Sequence, residues 1–143
     1  MNETTVLLVD DEQEFVEALA ERLRLRGLVV EAAGSGALAI EKAGKRRFDA
    51  VLLDMAMPGL DGVQTLSRLL ADNADLQVIL LTGKATLAQA VAAMKLGALD
   101  LLEKPAPLET IVARIEEAAT RRAARDDERI ARRMRDITRE KGW

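Results

Sequence analysis

Five short, largely apolar runs, at residues 6–9, 28–33, 48–54, 76–81 and 99–102, alternate with stretches whose apolar residues recur at helical spacing. This alternation constrains the fold more than any other feature, because strands and helices in regular succession pack as a parallel sheet covered on both faces. Residues 6–9 and 50–53 are apolar without alternation, as burial on both faces demands, while Glu31, Gln77 and Asp100 interrupt the other runs. The helical stripes are equally regular. Phe15, Val16, Leu19, Ala20 and Leu23 stop at Gly27, and Leu38, Ile40 and Ala43 follow the turn Gly34-Ser35-Gly36. Gly62 opens a stripe of Val63, Leu66, Leu69 and Leu70; Leu87, Val91 and Met94 form the next face, closed by Gly97; Leu108, Ile111, Val112, Ile115 and Ala119 form the last core-facing stripe. Right-handed crossovers then bring the carboxyl ends of all five strands to one edge.

Four polar signals fall on that edge. Asp10 and Asp11 end the first run, Asp54 ends the third, Thr82 and Gly83 follow the fourth, and Lys104-Pro105 follows the fifth. The chain has no Cys and no His, which excludes disulfides, thiolate catalysis, the usual zinc ligands and a His general base. Acid, base or metal chemistry therefore rests on carboxylates, Lys and hydroxyls. Three crowded carboxylates repel one another, and a hard divalent cation relieves them; Mg²⁺ suits the set because it binds through one or two carboxylates plus phosphate oxygens. Taken singly, each residue has a plain structural role: Asp11 as a helix cap, Asp54 and Thr82 as turn formers, Lys104 as a surface lysine. Their convergence on one edge favours phosphoryl transfer to a carboxylate, with Asp54 as nucleophile and Lys104 and Thr82 stabilising the added charge. No G-x-x-x-x-G-K-[ST] or G-x-G-x-x-G loop follows the first strand, so the phosphoryl group is expected on a donor and not on a bound nucleotide. A small X-Pro trans preference also makes Lys104-Pro105 a candidate cis bond.

These residues resemble the receiver domain of two-component response regulators. Val6-Leu7-Leu8-Val9-Asp10-Asp11-Glu12 looks like that family's acidic pair, and Leu52-Leu53-Asp54-Met55-Ala56-Met57-Pro58-Gly59-Leu60-Asp61-Gly62 looks like its phosphoacceptor loop. Leu80-Leu81-Thr82-Gly83 and Gly97-Ala98-Leu99-Asp100-Leu101-Leu102-Glu103-Lys104-Pro105 match its hydroxyl and lysine motifs, and the likeness runs over residues 4–120. It implies a flavodoxin-like, doubly wound sheet of five parallel strands with five helices. It also implies a switch phosphorylated on Asp54 by a sensor histidine kinase or a histidine phosphotransfer protein, and not an enzyme acting on other molecules. By the same resemblance Asp11, Asp54 and the Met55 carbonyl hold Mg²⁺ and Asp10 contributes through a coordinated water; Thr82 turns toward the phosphoryl group and Lys104 pairs with it. The chain departs from the family at Leu101, where an aromatic residue usually couples to the hydroxyl as a switch. Lys84, where many relatives carry His, and Ala56 flank the path of the attacking water and bear on the lifetime of the phosphorylated state.

The body, residues 1–120, carries 12 Lys+Arg and 19 Asp+Glu, whereas residues 121–143 carry 9 and 5. This division reads as a receiver domain at 1–120 and an Arg-rich helical extension at 121–143, with a thin seam of Ile130, Met134 and Ile137. If continuous with the last helix, the extension projects on the order of 35 Å from the body. A lone helix of this kind is marginal unless paired, which points to homodimerisation, docking on a downstream protein, or the stub of a linker. The extension is too short for a helix-turn-helix reader, so direct nucleic-acid binding is not expected. The polar start is unlike a signal peptide, and no apolar run approaches the roughly 20 residues that span a bilayer. A cytoplasmic location without membrane contact is the expectation. A Mg²⁺-dependent phosphatase with an Asp nucleophile is the competing reading; such enzymes need a second Asp two residues later, where this chain has Ala56. A flavin site lacks aromatic residues for stacking, with two Phe and one Trp in the chain.

Overall fold

The computed structural model describes residues 3–57, 61–83 and 86–141. Strands β1 (Thr5–Val9), β2 (Val29–Ala33), β3 (Ala50–Leu53), β4 (Val78–Thr82) and β5 (Asp100–Glu103) form one parallel sheet in the order β2-β1-β3-β4-β5. They alternate with α1 (Gln13–Leu25), α2 (Gly36–Lys45), α3 (Gly62–Asp72), α4 (Leu87–Leu96) and α5 (Leu108–Lys141). The expected doubly wound fold is therefore present. Its alternating side chains build two cores. Leu7, Val9, Val51, Leu53, Val78 and Leu80 pack with Ala39 of α2, Leu66 and Leu69 of α3 and Ala93 of α4. Val6, Leu8, Leu52, Ile79 and Leu81 pack with Leu19 and Leu23 of α1 and Ile111 and Ile115 of α5. The strand order reverses direction between β1 and β3, and an open α/β sheet has its binding crevice at such a switch point.

Local chemistry fixes where the helices begin. Ser35 Oγ accepts the Leu38 N–H at 3.1 Å, and Asp61 with Gln64 and Thr86 with Gln89 form reciprocal capping boxes. At α1 the N-cap residue Glu12 makes no side-chain cap; instead Asp10 Oδ1 accepts the Glu12 N–H at 2.9 Å. The helix start thus depends on a residue of the crevice. Gly97 closes α4 at φ +112°, a left-handed conformation that a Cβ would strain.

Leu87, Val91 and Met94 lie on α4, closed by Gly97 as the spacing predicts, and they face solvent, with Leu87 81% exposed; Ala93 is the buried residue of that helix. Small alanines let α4 lie close to the core, which leaves its bulkier residues outside. The α5 extension is continuous, as expected, yet it does not leave the body at residue 121. Arg122 is buried, Arg47 pairs with Asp126, and Arg129 pairs with Asp75, so α5 stays docked through residue 129. Beyond that point Ile130, Met134 and Ile137 are exposed. Ile115→Ala should therefore cost about 2–5 kcal/mol of unfolding free energy by chemical denaturation, whereas Ile137→Ala at low protein concentration should change it by less than about 0.5 kcal/mol.

Candidate functional site

Asp10 and Asp54 reach the crevice because β1 and β3 are neighbours: the Asp54 N–H donates to Val9 O at 2.9 Å and the Asp10 N–H to Ala33 O at 3.1 Å. Both carboxylates are buried, Asp10 at 3% and Asp54 at 5% exposure. One oxygen each of Asp10, Glu12 and Asp54 lie within 4.8 Å of one another. Asp11 is exposed and lies outside this trio, while Glu12, which sequence reasoning did not select, supplies its third acid. Glu12 stands at the N-cap of α1, and that capping position is the signal that could have singled it out.

Lys104 arrives from the end of β5, followed by a cis peptide bond to Pro105. Its Nζ donates to Asp10 Oδ2 at 2.6 Å, lies 3.6 Å from Glu12, and sits 4.1 Å from the centre of the Phe15 ring. The ammonium therefore bonds Asp10 and acts on Asp54 through space. Burial alone would lower its pKa, but the hydrogen bond and charge of Asp10, together with Asp54 and Glu12, raise it overall. Thr82, fully buried at the end of β4, sets its side chain beside Asp54 and lowers that carboxyl's pKa. Its carbonyl accepts the Lys104 N–H at 2.7 Å, which joins the ends of β4 and β5.

The Asp54 carboxyl is raised above its ordinary value, first by burial and then by the charge of Asp10, against the lowering effects of Lys104, the Ala56 N–H and Thr82. Ala56 N–H donates weakly to Asp54 Oδ1 at 3.4 Å, and the exposed Ala56 methyl offers no acid or base. The Met55 carbonyl faces the first turn of α3 and accepts the Gly62 N–H at 2.9 Å, which leaves its second lone pair for another partner. That contact needs glycine: a Cβ at Gly62 would lie 2.2 Å from Met55 Cα. Leu101 is half-buried beside Leu80 and packs on the α2–α4 core. Pro58, Gly59 and Leu60 of the acceptor loop, and Lys84, lie outside the described residues.

The family model of the response regulator receiver domain matches residues 6–116. The chain belongs to that family. It is 38% identical over 135 residues to the response regulator MprA of Mycobacterium leprae, an alignment that covers 93% of this chain and 59% of MprA. The chain thus spans little more than half the length of the curated relatives it matches. A CheY-like receiver domain from Methanospirillum hungatei superposes with a TM-score of 0.83 at 22% identity, covering 87% of this chain and 99% of that one, which shows the common fold. A Burkholderia pseudomallei response regulator, whose structure holds a phosphorylated aspartic acid, a calcium ion and citrate, gives 0.75 at 27% identity over 98% of this chain and 86% of its own. The chain is accordingly a receiver domain of the kind found in two-component response regulators. Among the described residues no helix is long and apolar enough to cross a membrane.

The buried charge on Asp54 carries a cost with a definite pH signature. A carboxyl whose pKa is higher folded than unfolded favours the fold below its unfolded value, near 3.8, and loses that contribution as pH rises through the folded value. Asp54→Asn should therefore raise the melting temperature at pH 7, with the gain shrinking as pH falls toward 4. Calorimetry across that range checks the sign. Gly62→Ala should cost about 1–3 kcal/mol, read by denaturant unfolding, because the acceptor loop must shift away from α3.

Proposed function

We propose that Asp54 accepts a phosphoryl group from the phosphohistidine of a sensor histidine kinase or a histidine phosphotransfer protein. The observation that carries this reading is a buried carboxylate whose neighbours are a cation and a hydroxyl poised for added negative charge. An Asp54 oxygen attacks phosphorus; its O–P bond forms as the donor's N–P bond breaks, and the donor imidazole leaves with the N–P electron pair. Lys104 then moves its ion pair from Asp10 toward the phosphoryl oxygens, and Thr82 follows with its hydroxyl. The donor set fits a Mg²⁺ ion: Asp10 and Asp54 are buried like charges, one oxygen each of Asp10, Glu12 and Asp54 lie within 4.8 Å of one another, and these three acids would hold it together with Asp11 and the Met55 carbonyl. When bound, the ion neutralises charge on the transferring oxygens. Slow hydrolysis of the acyl phosphate returns the switch to its starting state.

Phosphorylation would change the surface of α4, β5 and α5. Leu87, Val91 and Met94 make α4 an exposed apolar face, which suits a downstream protein that binds one of two conformers. Leu101 can form no hydrogen bond, so movement of Thr82 would pass to β5 through the Thr82 carbonyl and the Lys104 amide. Residues 1–120 act as the receiver and 121–143 as an appended helix, whose seam at Ile130, Met134 and Ile137 would pair with a second copy. The phosphorelay reading places the protein in the cytoplasm.

Incubation with Mg²⁺ and a small acyl phosphate should add one phosphoryl group to the wild type, seen by intact-mass spectrometry, and none to Asp54→Asn. Lys104→Met should lower the rate by about a hundredfold. Modification of Asp54→Asn at the wild-type rate would overturn the assignment. Sedimentation of the chain with and without residues 121–143 should give a smaller mass for the truncated form; equal masses would remove the tail from any dimer.

A further inference from the structure

The Lys104 ammonium is held by one short stretch of chain. It bonds Asp10 at 2.6 Å, lies 3.6 Å from Glu12 and stands 4.1 Å from the centre of the Phe15 ring, so the segment running from β1 into α1 surrounds it. The two acids belong to the crevice already described, and Phe15 does not. Phe15 stands in the first turn of α1, half-buried, and packs against the core between α1 and α5. A ring centre within about 6 Å of an ammonium attracts it through the negative face of the π system, and more strongly where water is excluded. The Lys104 side chain is 12% exposed, so water has little access here. Phe15 and Lys104 also line a cavity of about 180 Å³ between α1 and α5, together with Arg22 and Ile111. The ring bounds open space next to the charge, and a residue without a π face would leave that side of the ammonium to water. The chain has two Phe, and the other, Phe48, is buried in the other core.

We propose that Phe15 is a positioning residue for phosphoryl transfer: its ring holds the Lys104 ammonium at the crevice with little hydration, ready for the oxygens arriving at Asp54. This rests on the reading of Asp54 as the phosphoacceptor. Phe15 acts through Lys104 and not on the reacting atoms. A hydrated ammonium must shed water before it pairs with phosphoryl oxygens, whereas one held against a ring has less to shed, so the benefit falls on the transition state. Leucine at position 15 fills much of the same volume but offers no negative face.

Two measurements on the full chain test this. In proton–carbon NMR without Mg²⁺, the Lys104 ε-methylene, assigned with Lys104→Arg, should lie upfield of the other lysines through the ring current. Phe15→Leu should return it to their range, and Phe15→Tyr should keep it shifted. Transfer from a small acyl phosphate at saturating Mg²⁺ is then followed by intact mass, at a temperature where circular dichroism shows each variant folded. Phe15→Leu should slow it by about three- to thirtyfold, less than loss of Lys104 itself, and Phe15→Tyr should stay within about twofold of the wild type. A ring-trifluorinated phenylalanine at position 15 keeps the shape and weakens the negative face, so it should slow transfer as leucine does; a packing role alone would leave the rate unchanged. Should Phe15→Leu not fold, the fluorinated chain carries the rate comparison. The proposal falls if the wild-type Lys104 signal is unshifted, if the folded leucine or fluorinated chain reacts at the wild-type rate, or if Phe15→Tyr is as slow as Phe15→Leu. Failure of the underlying reading looks different: the wild type then takes no phosphoryl group, or Asp54→Asn takes it at the wild-type rate, and the Phe15 proposal falls with it.

Discussion

The carboxylate of Asp10 holds the functional edge together. One of its oxygens accepts the Glu12 N–H that starts α1, and the other accepts Lys104 from the end of β5, while Asp54 crowds it from β3. Three segments far apart in sequence therefore meet on one buried group. The arrangement is electrostatically uneasy, because two buried acids share one ammonium and each raises the cost of the other. Such an edge is responsive to charge: positive charge added at the acids, or negative charge added beyond Asp54, would change the partner that Lys104 prefers.

Much of this was legible in the chain because its signals are local. Apolar runs such as Val6–Val9 report burial on both faces, and the topology of parallel sheets then decides which ends meet, so Asp10, Asp54, Thr82 and Lys104 could be placed together before any coordinates. Glu12 was harder to single out, since neighbouring acids at a helix start differ by a rotation that sequence spacing does not encode. The orientation of α4 stayed open for a related reason. Periodicity identifies a stripe, but not which stripe is buried, and alanines can claim the core side because they permit a closer approach than leucine or methionine. The docking of α5 was missed because it rests on ion pairs between residues such as Arg47 and Asp126, far apart in sequence and carrying no periodic signal.

The long α5 has three regimes along one continuous helix. Its first turns bury Ile111, Val112 and Ile115 in the core, its middle is held against the amino-terminal edge by the pairs of Asp126 with Arg47 and of Arg129 with Asp75, and its end shows only an exposed seam. Stability should fall in that order, because apolar burial outweighs partly exposed ion pairs, and an unpaired helical end has neither. Any signal carried by α5 toward residue 141 must therefore cross a segment whose attachment is chiefly electrostatic and sensitive to salt.

That segment matters for the switch because the ends of α5 lie toward opposite edges of the sheet. Near its start, Arg114 pairs with Asp100 of β5, the strand that also carries Lys104. A change in Lys104 at the acidic edge has a covalent path along β5 to Asp100 and from there an ion-paired path into α5. With leucine at position 101, no side-chain hydrogen bond competes with this route on β5. With no aromatic residue at position 101, the links from the acidic edge toward α5 are the backbone bond between Thr82 and Lys104 and the charge pair that β5 shares with α5.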